Sequence, residues 1–408
     1  MSTPAPTHAA HSNRRTIALL AVAQALFQSV QSMAISTTPL AGYSLLGADK
    51  SLATLPIFLS HAGIMLTTIP ASLLMARIGR RAGFSIGALI GIASGLVGFA
   101  AIWIASFQLL CVAALLQGSA AAFAWYFRFA ATDAAAPADR AKAISLVMAG
   151  GVLAGVLGPQ TAKWSVAWFE PVLFAGVYLM IAAFAAAGLF AIQFLRVPPL
   201  SIADRREPGR PLAEIARQPA FRVALLTSMF GYAVMTLVMT VTPIAMLACG
   251  FGFADSATVI QAHVVAMFLP SFFTGHLIAR VGVLPVIVAG AAIEAVCALI
   301  NLGGVEFGNF LFANVCVGLG WNFCYVGGST LLTSTYTLEE KAKVQGTHDF
   351  LVYSMTASAA ALSGTLQAQA GWSMVNIAAL PMLTIVLCAV TWLAWKQRAA
   401  AKSLAIVV

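Results

Sequence analysis

Twelve long apolar segments constrain the fold of this chain more than any other feature of its sequence. Each holds about twenty or more mostly apolar residues, the length that a helix needs to cross the hydrocarbon core of a bilayer. The segments cover residues 16–41, 52–75, 84–105, 107–130, 143–162, 172–195, 223–248, 256–278, 284–303, 309–334, 344–368 and 374–395. They predict an all-α membrane protein with twelve transmembrane helices.

The composition argues against the main soluble classes. Apolar residues make up 61% of the 408 residues and charged residues only 9%, whereas soluble domains carry about 25% charged residues. The six cysteines show none of the close pairing that a zinc or redox site needs. We therefore expect no metal and no cofactor, and neither a nucleic-acid binder nor a secreted disulfide scaffold.

The connections between the segments are short except for one, which is rich in proline and charge. We interpret it as a linker between two halves, with a short surface helix at "LAEIARQ". The predicted divisions are a tail at 1–15, a six-helix bundle at 16–195, the linker at 196–222, a second six-helix bundle at 223–396 and a tail at 397–408.

Lysine and arginine are distributed unevenly between the two sides of the predicted membrane. With the N-terminus in the cytoplasm, 19 of the 22 basic residues lie on the cytoplasmic side. Lys50 and Lys163 lie outside, and Arg128 lies within a span. Because cytoplasmic loops carry an excess of basic residues, we predict that both termini are cytoplasmic.

Three short motifs recur at nearly one spacing. "ARIG" at 76–79 returns as "ARVG" at 279–282, and "DRAKA" at 139–143 returns as "EKAKV" at 340–344. The pair Gln117-Gly118 aligns with Leu319-Gly320. The three spacings are 203, 201 and 202 residues, so the two halves are interpreted as a duplication that places a binding site near the membrane midplane.

The string "GFSIG" at 83–87 matches a serine-hydrolase elbow, but it opens a membrane span and lacks the strand-turn-helix setting of that motif. Gly87, Gly91 and Gly95 instead place small residues every four positions, which predicts a helix-contact face.

The six-plus-six arrangement, the central linker and the "R-x-G-R-R" turn at 77–81 resemble the major facilitator superfamily over nearly the whole chain. That resemblance implies that spans 1, 4, 7 and 10 line a central cavity around which the halves rock. The strings "WYFRFAATDAA", "RAKAISLVMAGGV", "PSFFTGHLIARVG" and "VQGTHDFLVYS" are similar to a bacterial subgroup associated with riboflavin uptake. Ala114 stands where proton-driven drug exporters of the family carry an arginine, which disfavours drug–proton exchange.

Polar and aromatic side chains in these four spans are the candidate substrate ligands, since polar groups in hydrocarbon usually face a cavity or a partner helix. Packing between helices is the alternative for each of them. Arg128 could instead extend to the interface, or pair with Asp133 in a gate. The candidates are Gln24, Gln28 and Gln31 in span 1, Gln117, Trp125 and Arg128 in span 4, Tyr232 and Thr236 in span 7, and Trp321, Asn322 and Tyr325 in span 10.

Two further sets of residues are candidates for gating and for coupling transport to an ion. The candidate gating residues are Arg77, Gly79, Arg80, Arg81, Arg280 and Asp349, with Asp349 expected to pair with Arg77 as an inner latch. The candidate coupling residues are His61, His263 and Glu294, each of which could also be a packed structural group. His61 and His263 lie 202 residues apart, at nearly equivalent points of the two halves.

We interpret the chain as a secondary active or facilitative transporter, not an enzyme, that moves a small organic solute across a bacterial inner membrane by alternating access. A riboflavin-like solute is the most specific expectation. The expected partners are this solute, the lipid bilayer and protons, and the expected state is a monomer. A proton-coupled exporter of drugs or metabolites, a polytopic membrane enzyme and a transport-dead sensor stay open as alternatives.

Overall fold

Residues 14–127, 130–131, 134, 140–195, 209–337 and 340–407 are described by a computed structural model, and every regular element within them is a helix. The thirteen helices of this part of the chain are α1 (Arg14–Leu45), α2 (Leu55–Ile78), α3 (Arg80–Trp103), α4 (Phe107–Ala124), α5 (Arg140–Ser165), α6 (Ala175–Gln193), α7 (Leu212–Arg217), α8 (Pro219–Ala248), α9 (Phe253–Phe268), α10 (Ser271–Val281), α11 (Val283–Gly303), α12 (Phe307–Thr333) and α13 (Lys341–Val407).

These helices account for the twelve predicted spans. Nine of the described helices are long and apolar enough to cross a membrane, and α9 with α10 forms a tenth span that is bent by 42°. Helix α13 breaks at Gly371 (φ 77°) into two arms that each have the length of a span. Helix α5, with 26 residues, is the remaining span. The short α7 lies where "LAEIARQ" predicts a surface helix.

The bend between α9 and α10 departs from the continuous span predicted at 256–278. Pro270 lies at the break and has no backbone N–H, so it cannot continue the hydrogen-bond ladder of the helix. A periodic apolar pattern does not report such a break, because the apolar residues continue through it.

The two halves repeat the same helix pairings, as the duplicated motifs predict. In the first half α1 packs on α5, α3 on α4 and α2 on α4. In the second half α8 packs on α13, α11 on α12 and α9 on α12. Helix α8 is the most enclosed of these nine long apolar helices, and 78% of its 18-residue apolar stretch is buried. It contacts α12 and α13 of its own half and α1 of the other half.

The turns that carry the repeated "AR-x-G" motif have the same backbone geometry. Gly79, between α2 and α3, has φ 86° and ψ 159°, and Gly282, between α10 and α11, has φ 90° and ψ 162°. A residue with a side chain is strained at such a positive φ, so both copies of the motif need glycine. Gly79, a candidate gating residue, therefore has a backbone reason for its identity.

The predicted glycine face of α3 is confirmed. A Cβ atom at Gly87 would lie 2.5 Å from Cβ of Phe123 on α4, and one at Gly95 would lie 2.5 Å from the backbone nitrogen of Ala182 on α6. Gly91 between them faces Ala185. The absence of side chains allows α3 to approach both neighbours closely.

The end of the linker that precedes α7 is fastened to the second half. Arg210 forms a bidentate ion pair with Glu340 at 2.8 and 2.9 Å, and its backbone N–H donates to the same carboxylate at 2.8 Å. Arg210 also donates to the carbonyl oxygen of Thr335 at 3.1 Å. Residues 209–217 are thus positioned to move with the second half rather than with the first.

We expect Glu340→Gln to lower the melting temperature of the detergent-solubilised protein at neutral pH by roughly 2–4 °C. Arg210 donates to this carboxylate and lowers its pKa, so the pair stabilises the fold above the ordinary carboxyl pKa and loses that contribution as pH falls through the lowered pKa. Thermal unfolding of the two proteins tests this. Glu170→Gln, which changes an exposed carboxylate between α5 and α6, is the control, and equal losses in both variants would contradict the expectation.

Candidate functional site

Three rings of the second half form the core of the candidate site. Trp321 and Tyr325 lie one turn apart on α12 and stack in parallel, with ring centroids 5.0 Å apart and planes 9° apart. Tyr232 of α8 meets both rings edge-on, at 5.4 and 5.7 Å. All three are predicted substrate-binding residues, and the structure brings them together.

The same cluster crosses from one half of the protein to the other. Tyr353 of α13 contacts Tyr232 at 5.8 Å and Trp125, which directly follows α4, at 6.5 Å. Trp125 in turn meets Phe27 of α1 at 5.9 Å. We call Phe27, Trp125, Tyr232, Trp321, Tyr325 and Tyr353 the central aromatic cluster. It draws on spans 1, 4, 7, 10 and 11, so both halves supply rings.

Phe27 and Tyr353 are members of this cluster that sequence reasoning missed. Phe27 lies next to Gln28 in α1, and Tyr353 belongs to the string "VQGTHDFLVYS" that supports the family resemblance. Their apolar settings give no signal beyond that of ordinary packing residues, and only the crossing of the helices reveals the contact.

Two indole nitrogens in the cluster have no hydrogen-bond partner. Nε1 of Trp125 and Nε1 of Trp321 are both buried and unpaired within the described residues. Most buried donors in folded proteins find an acceptor, so an unpaired one calls for a reason, and a site for a ligand acceptor is one such reason.

The three glutamines of α1 divide into two groups. Gln31 accepts a hydrogen bond from Nε2 of Gln117 at 3.0 Å, and Oε1 of Gln117 accepts from Ser94 of α3 at 3.1 Å. Gln24 and Gln28 are buried but make no hydrogen bond in the part of the chain that the structure describes, and the same holds for Thr236 on α8. Gln31 and Gln117 therefore link helices of the first half, while the other three side chains keep their polar groups available.

Asn322 has a structural task at the bend between α9 and α10. Its Nδ2 donates to the carbonyl oxygen of Met267 and to Oγ of Ser271, both at 2.7 Å, and its Oδ1 accepts from Thr274 at 2.8 Å. The broken helix leaves backbone groups without their usual partners, and Asn322 satisfies them from α12. Its side chain thus turns away from the stacked rings of Trp321 and Tyr325.

The candidate gating residues lie at the end of the molecule that holds the start of α1, which we call the terminal end. Arg81 donates to Oε1 of Gln193 on α6 at 3.3 Å, and Arg77 and Arg280 are exposed. Asp349 Oδ1 lies 3.0 Å from Nδ1 of the adjacent His348. Within the described residues, no ion pair joins Asp349 to Arg77 in this conformation.

Arg80 is the remaining arginine of the "R-x-G-R-R" turn and begins α3. Arg128 and its suggested partner Asp133 lie outside the described residues, so the structure adds nothing to either prediction.

The three candidate coupling residues occupy unlike surroundings. Nδ1 of His61 lies 2.9 Å from the carbonyl oxygen of Ile57 on its own helix, whereas Nδ1 of His263 lies 2.9 Å from the carbonyl oxygen of Asn314 on α12. Glu294, on α11, is fully buried, and both of its carboxyl oxygens lack a partner among the described residues. In that same part of the chain, no three His, Cys, Asp or Glu side chains come together as metal ligands would.

The halves also meet at the end opposite the termini, which we call the far end. Gln160 of α5 donates to Gln261 of α9, and Lys163 donates to Thr258, both at 2.7 Å. Phe174 and Phe253 meet edge-on at 5.8 Å. These contacts close the far end in this conformation.

Each of the two lysines predicted to lie outside has a structural partner at the far end. Lys163 belongs to the contact between α5 and α9, and Lys50 donates to the carbonyl oxygens of Tyr43 and Leu46 at the end of α1, at 2.7 and 2.6 Å. These hydrogen bonds explain why basic residues occur on the side where they are otherwise rare.

The sequence matches the family model described as Major Facilitator Superfamily over residues 17–300. The chain belongs to this superfamily, and it is a membrane transporter rather than an enzyme.

Two curated bacterial proteins and one solved structure are similar to the chain. "Riboflavin transporter RfnT" of Brucella anthropi is 39% identical over 380 residues, which cover 92% of this chain and 94% of that protein. "Uncharacterized MFS-type transporter YddS" of Bacillus subtilis is 28% identical, covering 93% of this chain and 91% of the relative. The crystal structure of the human organic anion transporter MFSD10 (TETRAN) matches with a TM-score of 0.70 at 13% identity, covering 92% and 99% of the two chains. The last similarity supports the fold alone.

The glycine at position 364 generates a prediction about closure of the far end. A Cβ atom there would overlap Oγ1 of Thr54, the residue just before α2, so Gly364→Leu cannot close as the native chain does. We expect the variant to expose Thr240 of α8, which is only 4% exposed in the closed state. The measurement is labelling of Thr240→Cys by a membrane-impermeant maleimide added to the far side, in a chain whose six native cysteines are replaced.

Gly346→Leu is the matched control, because it lies on the same helix and a Cβ atom there would have no neighbour within 4 Å. Labelling that is equally slow in both variants would show that the contact between Thr54 and Gly364 does not govern closure.

Proposed function

We propose that the chain transports riboflavin, or a closely related flavin, and binds it in the central aromatic cluster. The observation that carries the proposal is the ring cluster built from both halves, with two unpaired indole donors. The 39% identity to a riboflavin transporter over nearly the whole chain supports the same substrate.

The chemistry of the cluster suits such a solute. Riboflavin combines a flat ring system that bears carbonyl oxygens with a flexible polyol chain. Aromatic side chains stack on flat rings, and the N–H groups of Trp125 and Trp321 can donate to carbonyl oxygens. Gln24, Gln28 and Thr236 offer amide and hydroxyl groups for the polyol. Small-molecule sites in proteins commonly combine apolar walls with a few directional polar groups in this way.

The remaining predicted ligands receive other roles in this proposal. Gln31 and Gln117 hold α1, α3 and α4 together, and Asn322 holds α12 to the bend between α9 and α10. Arg128 stays a predicted ligand.

The proposed transport cycle is alternating access across a bacterial inner membrane, with both termini in the cytoplasm. The basic residues Arg77, Arg80, Arg81 and Arg280 lie at the terminal end, which supports that orientation. In the conformation described, contacts between the halves close the far end. Rocking the halves would separate Trp125 from Tyr353 and would also break the far-end contacts.

One chain supplies the whole cluster, so a monomer suffices.

Uptake by a riboflavin-auxotrophic bacterium tests the proposal. We expect the chain to rescue growth on limiting riboflavin and to raise the initial rate of labelled riboflavin uptake. Trp321→Leu removes a stacking surface worth about 1–3 kcal/mol, so uptake at low substrate should fall roughly fivefold to a hundredfold. Trp321→Phe keeps a ring but loses the N–H donor and should show an intermediate loss.

Trp164→Leu serves as the control, because that indole is 67% exposed on the outer surface of α5 and lies outside the cluster. Absence of both rescue and uptake from protein that reaches the membrane would remove riboflavin as the substrate. Outward movement of riboflavin from preloaded cells would instead favour the exporter.

A further inference from the structure

Glu294 lies directly behind α8 and α12, the helices that carry Tyr232 and the stacked rings of Trp321 and Tyr325. It lies midway along α11 and is fully buried. A Cβ atom at Gly320 of α12 would lie 2.6 Å from Cγ of Glu294, and one at Gly231 of α8 would lie 3.7 Å from its Oε1. The next residues in sequence are Trp321 and Tyr232, so backbone movement at either glycine would move a ring of the central aromatic cluster.

The carboxyl group of Glu294 has no hydrogen-bond partner at either oxygen in the described part of the chain. Because Gly320 and Gly231 have no side chains, the backbones of α12 and α8 can pack close to this carboxyl group. An acidic group in such a place costs free energy, so a purely packing role would be served better by an apolar residue of the same size.

Within the described residues, no basic side chain is placed to balance a charge on this carboxyl. Among the described residues, Cys297 on α11 and Cys324 on α12 are titratable groups packed near it, and both are buried. By sequence, α8 has no charged residue after Arg222, and α12 has none along its whole length.

The other two elements that contact α11 also lack a suitable cation. The second arm of α13, which bonds α11 through Asn376 and Asn301, has no charged residue before Lys396, and its only cysteine is the exposed Cys388. On α10, His276 and Arg280 are exposed and lie close to the Gly282 turn, far along the helix axis from Glu294. An ionised carboxylate here would be buried and unpaired, which is far more costly than the protonated acid.

We propose that Glu294 is the proton-binding site that couples transport to the transmembrane proton gradient, an inference that rests on the proposed transport of riboflavin. The carboxyl holds its proton while α8 and α12 pack against it, as in this conformation. When substrate movement shifts Tyr232 and Trp321 and loosens that packing, water reaches the carboxyl and accepts the proton, leaving the carboxylate. Protonation from the other side of the membrane then restores the packed state.

The purified full chain in liposomes separates this coupling role from substrate binding. Wild-type protein should exchange labelled riboflavin across the membrane without a gradient, and one pH unit should drive up to about tenfold accumulation for one proton per substrate. Glu294→Gln has nearly the same shape but carries no exchangeable acid. It should exchange riboflavin within about twofold of wild type, lose accumulation driven by the pH gradient, and lose the pH dependence of exchange.

Glu306→Gln, which changes an exposed carboxylate just before α12, is the control and should keep accumulation. Gradient-driven accumulation by Glu294→Gln at the wild-type level would overturn the proposal. Wild-type exchange without any response to a pH gradient would overturn it as well.

An infrared measurement tests the protonated carboxyl without any substrate. The difference spectrum between wild type and Glu294→Gln at neutral pH should contain the carbonyl stretch of a protonated carboxylic acid, and its absence would overturn the proposal. If wild-type protein exchanges no riboflavin, the proposed substrate fails, and this spectrum alone decides whether Glu294 carries a proton.

Discussion

Polar groups inside a bilayer have no water to bond, and this constraint organises the whole structure. It requires every spanning segment to be a helix, whose backbone groups pair within the segment. It also requires a partner for each polar side chain that the helices carry inward. Gln31 with Gln117, and Asn301 with Asn376, meet that requirement by bonding across helices. Asn322 meets it by satisfying the broken backbone between α9 and α10.

Several buried polar atoms of the described residues lack a partner, and three of the side chains that carry them lie near one another. The unpaired indoles of Trp125 and Trp321 belong to the central aromatic cluster, and the unpaired carboxyl of Glu294 lies behind two of its helices. Unpaired N–H donors within a ring cluster are where a flat solute with acceptor groups would bind. The unpaired carboxyl of Glu294, which packs against α8 and α12 behind the cluster, is where a proton would be held. Substrate and proton would then act on the same two helices, which is a direct physical route for coupling.

The sequence predicts the spans and the duplication because both depend on local patterns. Apolar length defines each helix, and the repeated glycines at 79 and 282 keep the same positive φ in both halves. The roles of individual polar residues are less predictable. Gln117 and Asn322 lie in the expected spans, yet their partners belong to other helices, so their tasks depend on how the helices cross. The bond between Lys163 and Thr258 depends on the same three-dimensional arrangement.

Binding of riboflavin to the purified protein tests the central claim most directly, because it requires neither a gradient nor a direction of transport. Stacking of the flavin on the rings of the cluster should quench its fluorescence. The account predicts saturable quenching at one flavin per chain, with a Kd that Trp321→Leu raises about fivefold or more and that Trp164→Leu leaves unchanged. Quenching by Trp321→Leu with the wild-type Kd, or no saturable quenching by the folded wild-type protein, would contradict it.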